Sequence, residues 1–267
     1  AKLFNKLSKM PIKLGDVADI FVGLQTSADD VFIMDWVKET SKEFSLKSKA
    51  LNKEWVFEKG LLFPIVSGTD VKRYGTLPER QYILFPYEVK DGAANLIGLE
   101  EIERKYPKTY AYLYENKRRL EERERGKFKG YDWHRFGRSQ NIGIQSQVKL
   151  CVPRLVENLY AAYDEDGSHF LDNVDVNGIT LKEDFKQHNF CYLLGLLNSN
   201  LLRWFFPKIS VPFRGGWLSA NRQFIEPLPI PTINFKNPKD ESFHDKMVSL
   251  VDRMLELNKK LKKTKTP

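Results

Sequence analysis

The sequence predicts an α+β protein: a twisted, mixed β-sheet with helical insertions and a long amphipathic helix at the C-terminus. Three observations predict this class. Short apolar runs separated by turn-rich loops occupy the first 98 residues, helical patterns follow at 99–126 and 188–206, and a heptad-like apolar repeat closes the chain. With 267 residues, of which 42% are hydrophobic and 13% aromatic, the chain is long enough to bury a sizeable core without disulfides or metals.

The first half is expected to contain strands followed by helices. Four apolar runs have the length and flanking turn residues of strands: 17–23, 31–34, 60–68 and 81–87. Acidic residues in a first turn predict a helix at 99–106. Pro107 is placed to open a second helix that runs to Gly126.

The second half alternates strands with one buried helix. Strands are predicted at 148–155 and 177–182, and a hairpin at 159–172 with a DEDG turn. Residues 188–206 are apolar nearly all round, which predicts a buried helix. Five prolines make residues 207–231 an extended, non-helical segment.

The C-terminal segment carries an apolar repeat with spacings of 4, 3, 4, 3 and 4 residues. This is the pattern of a coiled-coil seam and predicts a long amphipathic helix, packed either on its own domain or on a partner helix. The repeating residues are Phe243, Met247, Leu250, Met254, Leu257 and Leu261.

The net charge of +8 is unevenly distributed. Residues 103–138 carry twelve basic and six acidic side chains, whereas residues 157–184 carry one basic and eight acidic ones. The stretches 133–156 and 185–225 contain no Asp or Glu. A surface that faces a polyanion is expected to lack carboxylates, although burial in an apolar core would equally explain the absence of acids at residues 188–206.

Several classes of protein are excluded by missing motifs. The sequence has no Gly-rich cofactor loop, no phosphate-binding loop, no Gly-x-Ser-x-Gly elbow and no clustered metal ligands, so we expect no cofactor, metal or catalytic residue in this chain. Cys151 and Cys191 are expected to be buried free thiols in a reducing, cytoplasmic compartment. The chain lacks a long apolar run, so no membrane partner is expected. A start at Ala1 suggests an excised piece.

Two alternatives to a binding module without catalytic activity remain open. Asp70, Glu88 and Lys90 have the order of the metal-binding carboxylates and lysine of restriction-type nucleases, which would make the chain a self-contained Mg²⁺-dependent nuclease. Surface ion pairs explain the same three residues. The other alternative is a protein-interaction module that acts mainly through contacts of its C-terminal helix.

Two loops and one turn carry side chains suited to DNA. Segments 133–141 and 212–224 combine Arg, which bonds guanine through two atoms, with Asn or Gln, which pair with adenine, and with aromatic rings. Gln25 and Thr26, in the turn after the first predicted strand, are a third group of polar side chains suited to contact DNA. The candidate residues of the two loops are Trp133, Arg135, Arg138, Asn141, Arg214, Gly215, Gly216, Trp217, Asn221 and Arg222. Both tryptophans are equally explained as core anchors.

The order of these elements resembles the target recognition domain of the TaqI-like C-terminal specificity family, found in adenine-N6 DNA methyltransferases. It is similar, more distantly, to one half of a type I restriction specificity subunit. The resemblance spans roughly residues 14–235 and is carried by 14–34, 68–74, 107–123, Trp133, 149–155, 193–206 and 224–231.

The resemblance implies that residues 1–235 form a domain that recognises double-stranded DNA and that 236–267 form a coiled-coil-like helix. An upstream catalytic domain, absent from this chain, would bind S-adenosylmethionine and methylate adenine at N6 in a type IIG-like restriction-modification enzyme, with or without a fused endonuclease. The chain alone would not be an enzyme. Its implied partners are DNA, that methyltransferase domain and a second copy through the helix. The resemblance also assigns a DNA-facing role to Lys72 and Arg73.

Overall fold

The fold, described here from a computed structural model, combines two sheets, two short ribbons and eleven helices among residues 2–173 and 175–264, with the side chain of Arg214 outside the described part. This confirms the α+β class. The strands are β1 (Ala18–Val22), β2 (Ile33–Glu39), β3 (Glu43–Ser48), β4 (Lys53–Glu58), β5 (Leu62–Val66), β6 (Gln81–Leu84), β7 (Tyr87–Lys90), β8 (Ala93–Leu96), β9 (Lys149–Pro153), β10 (Leu155–Val156), β11 (Ala162–Asp164), β12 (Phe170–Leu171), β13 (Val176–Leu181) and β14 (Leu218–Ser219). The helices are α1 (Lys2–Ser8), α2 (Leu14–Val17), α3 (Asp29–Phe32), α4 (Leu99–Lys105), α5 (Pro107–Glu115), α6 (Lys117–Glu121), α7 (Arg123–Gly126), α8 (Phe190–Leu197), α9 (Asn200–Phe205), α10 (Arg222–Ile225) and α11 (Pro238–Thr264).

The large sheet has six strands in the order β12-β5-β6-β2-β3-β4. Its neighbours are antiparallel except for β12, which runs parallel to β5. Phe44, Leu46 and Phe57 project from β3 and β4 into a core that also contains residues of the helices α4 to α6. Tyr112 of α5 joins this core and its hydroxyl donates to Val31 O at 2.8 Å. Helix α5 is fixed at its start because the Glu58 carboxylate of β4 accepts hydrogen bonds from its first amides.

The small sheet has four antiparallel strands in the order β1-β13-β9-β11. Its core is shared with α1, α2, α8, α9 and α11. Register places Val22 opposite Asn177, Asn177 opposite Val152, and Cys151 opposite Ala162. The C-terminal ends of β1 and β9 therefore lie at the same end of the sheet as the N-terminal ends of β13 and β11.

The two sheets are joined through the parallel strand β12. A small apolar cluster combines Phe21 and Cys151 of the small sheet with Val66 and Leu171 of the large one. The chain crosses between the sheets more than once, since β1 belongs to the small sheet, β2 to β6 belong to the large one, and β9, β11 and β13 return to the small one. Cys151 and Cys191 are free and buried, as expected.

Several local predictions are corrected by the structure. Strands β3 and β4 were not foreseen, and the predicted strand at 31–34 begins with the short helix α3. The predicted hairpin at 159–172 is wrong, because β11 pairs with β9 while β12 pairs with β5 in the other sheet. The predicted helix at 188–206 is split after Asn198, where the Ser199 hydroxyl caps α9.

The helical insertion and the proline-rich segment also differ from expectation. The second helix does not continue from Pro107 to Gly126: it ends at Glu115, and Glu124 and Arg125 have left-handed backbone angles. The segment 207–231 was expected to be non-helical, yet it contains α10 and a short 3₁₀ turn at Phe206–Lys208.

The C-terminal helix forms as predicted but uses a different face to dock. Helix α11 buries His244, Val251 and Leu255 against the small-sheet core, and Met247 and Val251 pack against Gly195 of α8. Most of the predicted seam is exposed, from 41% at Met254 to 61% at Phe243. None of the helices in the described residues is both long and apolar enough to span a membrane.

Candidate DNA interface

Three of the predicted DNA-facing segments gather at one end of the small sheet. The first is the loop after β1, which carries Gln25. The second is the segment that contains Asn221, which contacts Arg154 directly after β9. The third is the Lys72–Arg73 loop, since the next residue, Tyr74, donates from its backbone to Ala161 O just before β11. These segments are far apart in sequence. They meet because the antiparallel register places the ends of β1 and β9 and the starts of β13 and β11 side by side.

The loop after β1 and the loop 133–141 are held together by backbone hydrogen bonds. Gly137 N donates to Thr26 O at 3.0 Å, and Arg138 N donates to Gln25 O at 3.1 Å. Asn141, with φ of +60°, donates from Nδ2 to Val22 O at 3.1 Å. These bonds make a single composite loop surface on which Gln25 and Arg138 are exposed.

The buried guanidinium of Arg123 supports this composite surface. It donates to Thr26 O and Trp133 O at 2.7 Å and to Arg135 O at 2.9 Å, so one side chain ties both loops to the helical insertion. Desolvation by burial, followed by the nearby Arg135 charge, lowers the pKa of Arg123 to about 10. The group therefore stays protonated at neutral pH.

Arg154 organises the second part of the interface. Its Nε donates to Asn221 Oδ1 at 2.9 Å and its Nη1 donates to Asn173 O at 3.1 Å. Its backbone carbonyl accepts from Ala220 N at 2.8 Å. Arg154 thus fixes the start of α10, where the predicted residues Asn221 and Arg222 lie, against the end of β9.

A hairpin at residues 211–219 projects beside Arg154, where β14 pairs with β10. Its tip contains Gly215 and Gly216 with φ of +74° and +84°, angles that residues with a Cβ adopt only with strain. Phe213 and Trp217 flank this tip and are 57% and 41% exposed. The predicted reader Arg214 lies between them, and its side chain is outside the described part of the structure.

Lys72 and Arg73 lie in the loop between β5 and β6, and both are exposed. Arg73 Nη2 donates to Asn198 O at 2.6 Å, at the break between α8 and α9. Asn198 in turn exchanges hydrogen bonds with the backbone of Ala161. The pair is therefore anchored beside the start of β11.

The predicted residues differ in their access to solvent. Thr26 and Trp133 are buried, and the Thr26 hydroxyl is occupied by Asp29 and Ala28 N, so both side chains hold the loops in place and are not presented to solvent. Three arginines are paired with carboxylates near the surface: Arg135 with Asp132 at 2.7 Å, Arg138 with Glu124 at 2.7 Å and Arg222 with Glu226 at 2.9 Å.

Sequence reasoning missed Arg123 and Arg154, whose carbonyl partners, in the backbone and in the Asn221 side chain, come close only in the fold. It also missed Tyr131, which is 98% exposed, and did not single out Phe213 among the aromatic rings of the loop 212–224. The sequence feature that could have indicated both residues is an aromatic side chain in a loop that contains glycines and few acidic residues. A cleft of about 630 Å³ between the β7–β8 hairpin and the composite loop is lined by Tyr87, Arg135, Arg138 and Asn141 among others.

The residues of the nuclease alternative have structural partners. The Asp70 carboxylate accepts from Ser67 N at 2.9 Å and Ser67 Oγ at 2.8 Å within its own turn. Glu88 pairs with Lys90 at 3.1 Å on the surface of the β7–β8 hairpin. These contacts are those of a turn cap and a surface ion pair.

A different carboxylate and histidine cluster was not foreseen. Potential ligand atoms of Asp164, Asp166 and His169 lie within 4.8 Å of one another. However, the fully buried Lys149 ammonium already contacts Asp164 at 2.5 Å, and His169 Nδ1 lies 3.1 Å from the other Asp164 oxygen. The cluster therefore carries its own counter-charge.

Comparison with known proteins places the chain in a family. Over 258 residues it is 24% identical to the type II restriction enzyme and methyltransferase RM.Eco57I of Escherichia coli, covering 92% of the chain and 26% of that enzyme. Over 236 residues it is 28% identical to the type II methyltransferase M.MjaIV of Methanocaldococcus jannaschii, covering 86% of the chain and 71% of that protein. The chain thus spans about a quarter of the first relative.

The sequence model of one family matches residues 63–230, which include β6 to β14, Lys72 and Arg73, and both predicted loops, but not the Gln25 turn. The chain belongs to the TaqI-like C-terminal specificity domain family.

Proposed function

We propose that this chain is the module that recognises a double-stranded DNA sequence for a restriction-modification methyltransferase. The observation that carries the proposal is the convergence of three basic or polar segments at one end of the small sheet, in a family described as a specificity domain. The names of the two relatives support the same role: RM.Eco57I is a type II restriction enzyme and methyltransferase, and M.MjaIV is a type II methyltransferase.

The catalytic step is assigned to a separate domain. The chain has no pair of glycines two residues apart and so lacks the Gly-x-Gly turn that lets a backbone approach a nucleotide cofactor. S-adenosylmethionine binding and adenine-N6 methylation therefore belong to another part of the enzyme. The chain's own residues hold the duplex in register while the target base leaves the stack.

Within this role, the surface has two parts. The exposed cations Lys72, Arg138 and Arg222 are suited to phosphates. The carboxylate partners of Arg138 and Arg222 are released at little cost because exposed ion pairs contribute only about 0–1 kcal/mol. The 211–219 hairpin presents Phe213 and Trp217 as apolar contacts for a groove or a base step.

Binding of a randomised duplex pool, followed by sequencing of the bound fraction, tests the proposal. We expect enrichment of one short sequence and a loss of roughly tenfold or more in affinity for Arg138→Ala/Arg222→Ala. Lys38→Ala/Lys42→Ala, two exposed lysines on and beside β2 of the large sheet, is the matched control. Bound DNA without any enriched sequence, or equal losses in both variants, would reject this interface.

A further inference from the structure

The exposed seam of α11 lies between the docked face of the helix and a row of cations. Lys239, Lys246, Arg253 and Lys260 recur every seven residues and are all exposed. Because each residue turns a helix by roughly 100°, residues seven apart share a face. This basic row lies next to the seam, on the side away from the buried residues Val251 and Leu255.

Most acidic residues of α11 lie on the opposite flank. Glu241, Asp245, Asp252 and Glu256 project from the other side of the docked face, at roughly 80–140° from Val251 in the direction away from the seam. In the described part of the chain, no carboxylate pairs with Lys246, Arg253 or Lys260. The open edge of the seam is therefore apolar and positively charged.

The charge pattern disfavours a second copy of this chain as the occupant. In an antiparallel pairing of two seams the two basic rows would lie side by side, since residues flanking a seam pair with the same flanking position of an antiparallel neighbour. In a parallel pairing each basic row would face the docked side of the other copy, where residues 185–225 contain no Asp or Glu and α11 itself contributes Asp240. The antiparallel arrangement places cations against cations, and the parallel arrangement offers the four cations of a row a single acidic side chain of α11, Asp240.

We propose that the α11 seam binds an amphipathic helix from outside this sequence whose apolar stripe is edged by Asp and Glu. Phe243, Leu250, Leu257 and Leu261, each 49–61% exposed, supply the apolar contact. The basic row supplies the pairing and the selectivity, as charged flanking positions do in coiled coils. This surface does not depend on DNA binding.

The test uses the full chain and two synthetic helical peptides of about four heptads with identical Leu seams, one flanked by Glu and one by Lys. Fluorescence anisotropy should show binding of the Glu peptide at least about tenfold tighter than the Lys peptide, with the difference shrinking at high salt. Lys246→Glu/Arg253→Glu should reverse the preference. Glu256→Lys/Asp245→Lys, on the opposite flank, should leave it unchanged.

Circular dichroism verifies that the variants are folded. Leu250→Asp/Leu257→Asp changes two exposed positions, so it should abolish binding of both peptides without lowering helicity. Sedimentation velocity should show a monomer. A dimer that Leu250→Asp/Leu257→Asp dissociates would overturn the proposal in favour of a second copy. Equal binding of the two peptides, or loss of duplex DNA binding in Lys246→Glu/Arg253→Glu without any peptide preference, would overturn it as well.

Discussion

At the scale of single residues, the pair Lys149–Asp164 shows how a buried charge is stabilised in this fold. The ammonium is fully buried and donates to Asp164 at 2.5 Å, to Gln145 O at 2.7 Å and to Gln147 O at 3.1 Å. All three donors are therefore used. Such a pair is costly to break because removing one member leaves the other charge buried without a partner.

Replacing Lys149 by Met should therefore lower the free energy of unfolding by about 3–5 kcal/mol. The matched control is Lys259→Met, which removes the exposed pair with Glu165 and should cost no more than about 1 kcal/mol. Urea denaturation followed by circular dichroism measures both. Similar small losses in the two variants would show that Asp164 finds compensation elsewhere.

Arg123 links stability to the candidate interface. Arg123→Met removes the donors to Thr26 O, Trp133 O and Arg135 O, so the loop after β1 and the loop 133–141 should separate. We expect faster hydrogen exchange at the amides of Gly137 and Arg138, which bond across the two loops.

DNA affinity should fall in the same Arg123→Met variant although Arg123 is buried. Arg118→Met, which removes an exposed pair with Glu122 on the same helical insertion, is the control for a lost charge. If Arg123→Met weakened binding no more than Arg118→Met, the positioning role of Arg123 would be disproved.

His134 makes stability depend on pH in the weakly acidic range. Burial lowers its pKa below the ordinary value near 6.5, its Nε2 donates to Ile97 O at 2.8 Å, and its buried Nδ1 has no hydrogen-bond partner among the residues that the structure describes. The unfolded chain therefore takes up a proton more readily than the folded one. The stability contribution is complete above about pH 6.5 and is lost as the pH falls below it.

The measurement is the free energy of unfolding at pH 7.5, 6.5 and 5.5, which we expect to decrease over the lower interval. His134→Gln should flatten part of that slope, and His188, whose pKa burial also lowers, contributes to the same slope. A folded-state pKa of His134 at or above 6.5, measured by NMR titration, would contradict this explanation.

At the scale of elements, sequence patterns predicted what depends on local periodicity. Strands β1, β5, β6, β9 and β13 and helices α4 and α11 were located because apolar spacing and end signals coincide there. The pairing of β12 with β5 was not predictable, because β12 has only two residues and nothing in its local sequence indicates which distant strand it pairs with.

The candidate interface was predictable only in part for the same reason. Loop composition identified Arg138, Trp217 and Arg222, which are exposed. It also selected Trp133, which is buried, because an aromatic ring in a polar loop is compatible with either location. Arg123 and Arg154 were overlooked because their partners are carbonyls of distant segments. Likewise, the seam of α11 was visible in the sequence, but the face that docks was not.

The docking of α11 on α8 depends on Gly195. A Cβ at this position would lie 2.7 Å from Met247 Sδ and 3.0 Å from Val251 Cγ2. Gly195→Val should therefore destabilise the protein by about 1–3 kcal/mol and speed hydrogen exchange along α11. Gly98→Val, where a Cβ meets open space, should leave exchange of α11 unchanged. If hydrogen exchange along α11 were unaltered in Gly195→Val, the contact between the two helices would tolerate the larger side chain, and its dependence on Gly195 would be disproved.

At the scale of the whole molecule, the basic charge is divided between two separate surfaces. One is the end of the small sheet, with Lys72, Arg138 and Arg222, and the other is the basic row of α11. A net charge of +8 alone does not distinguish them. The first surface combines its cations with the exposed rings of Phe213 and Trp217 and the exposed amide of Gln25, side chains of the kind that DNA recognition requires in addition to phosphate attraction.

The salt dependence of DNA binding separates the two surfaces. The logarithm of affinity should fall with the logarithm of salt concentration by about 0.9 per phosphate neutralised. Lys72→Ala should reduce that slope by about 0.9 and weaken all sequences alike, whereas Trp217→Ala, if it contacts a base step, should change sequence preference with little effect on the slope. Lys246→Ala, in the basic row of α11, should leave both unchanged. A slope reduced by Lys246→Ala as much as by Lys72→Ala would place DNA across the helix and contradict the division of charge proposed for this domain.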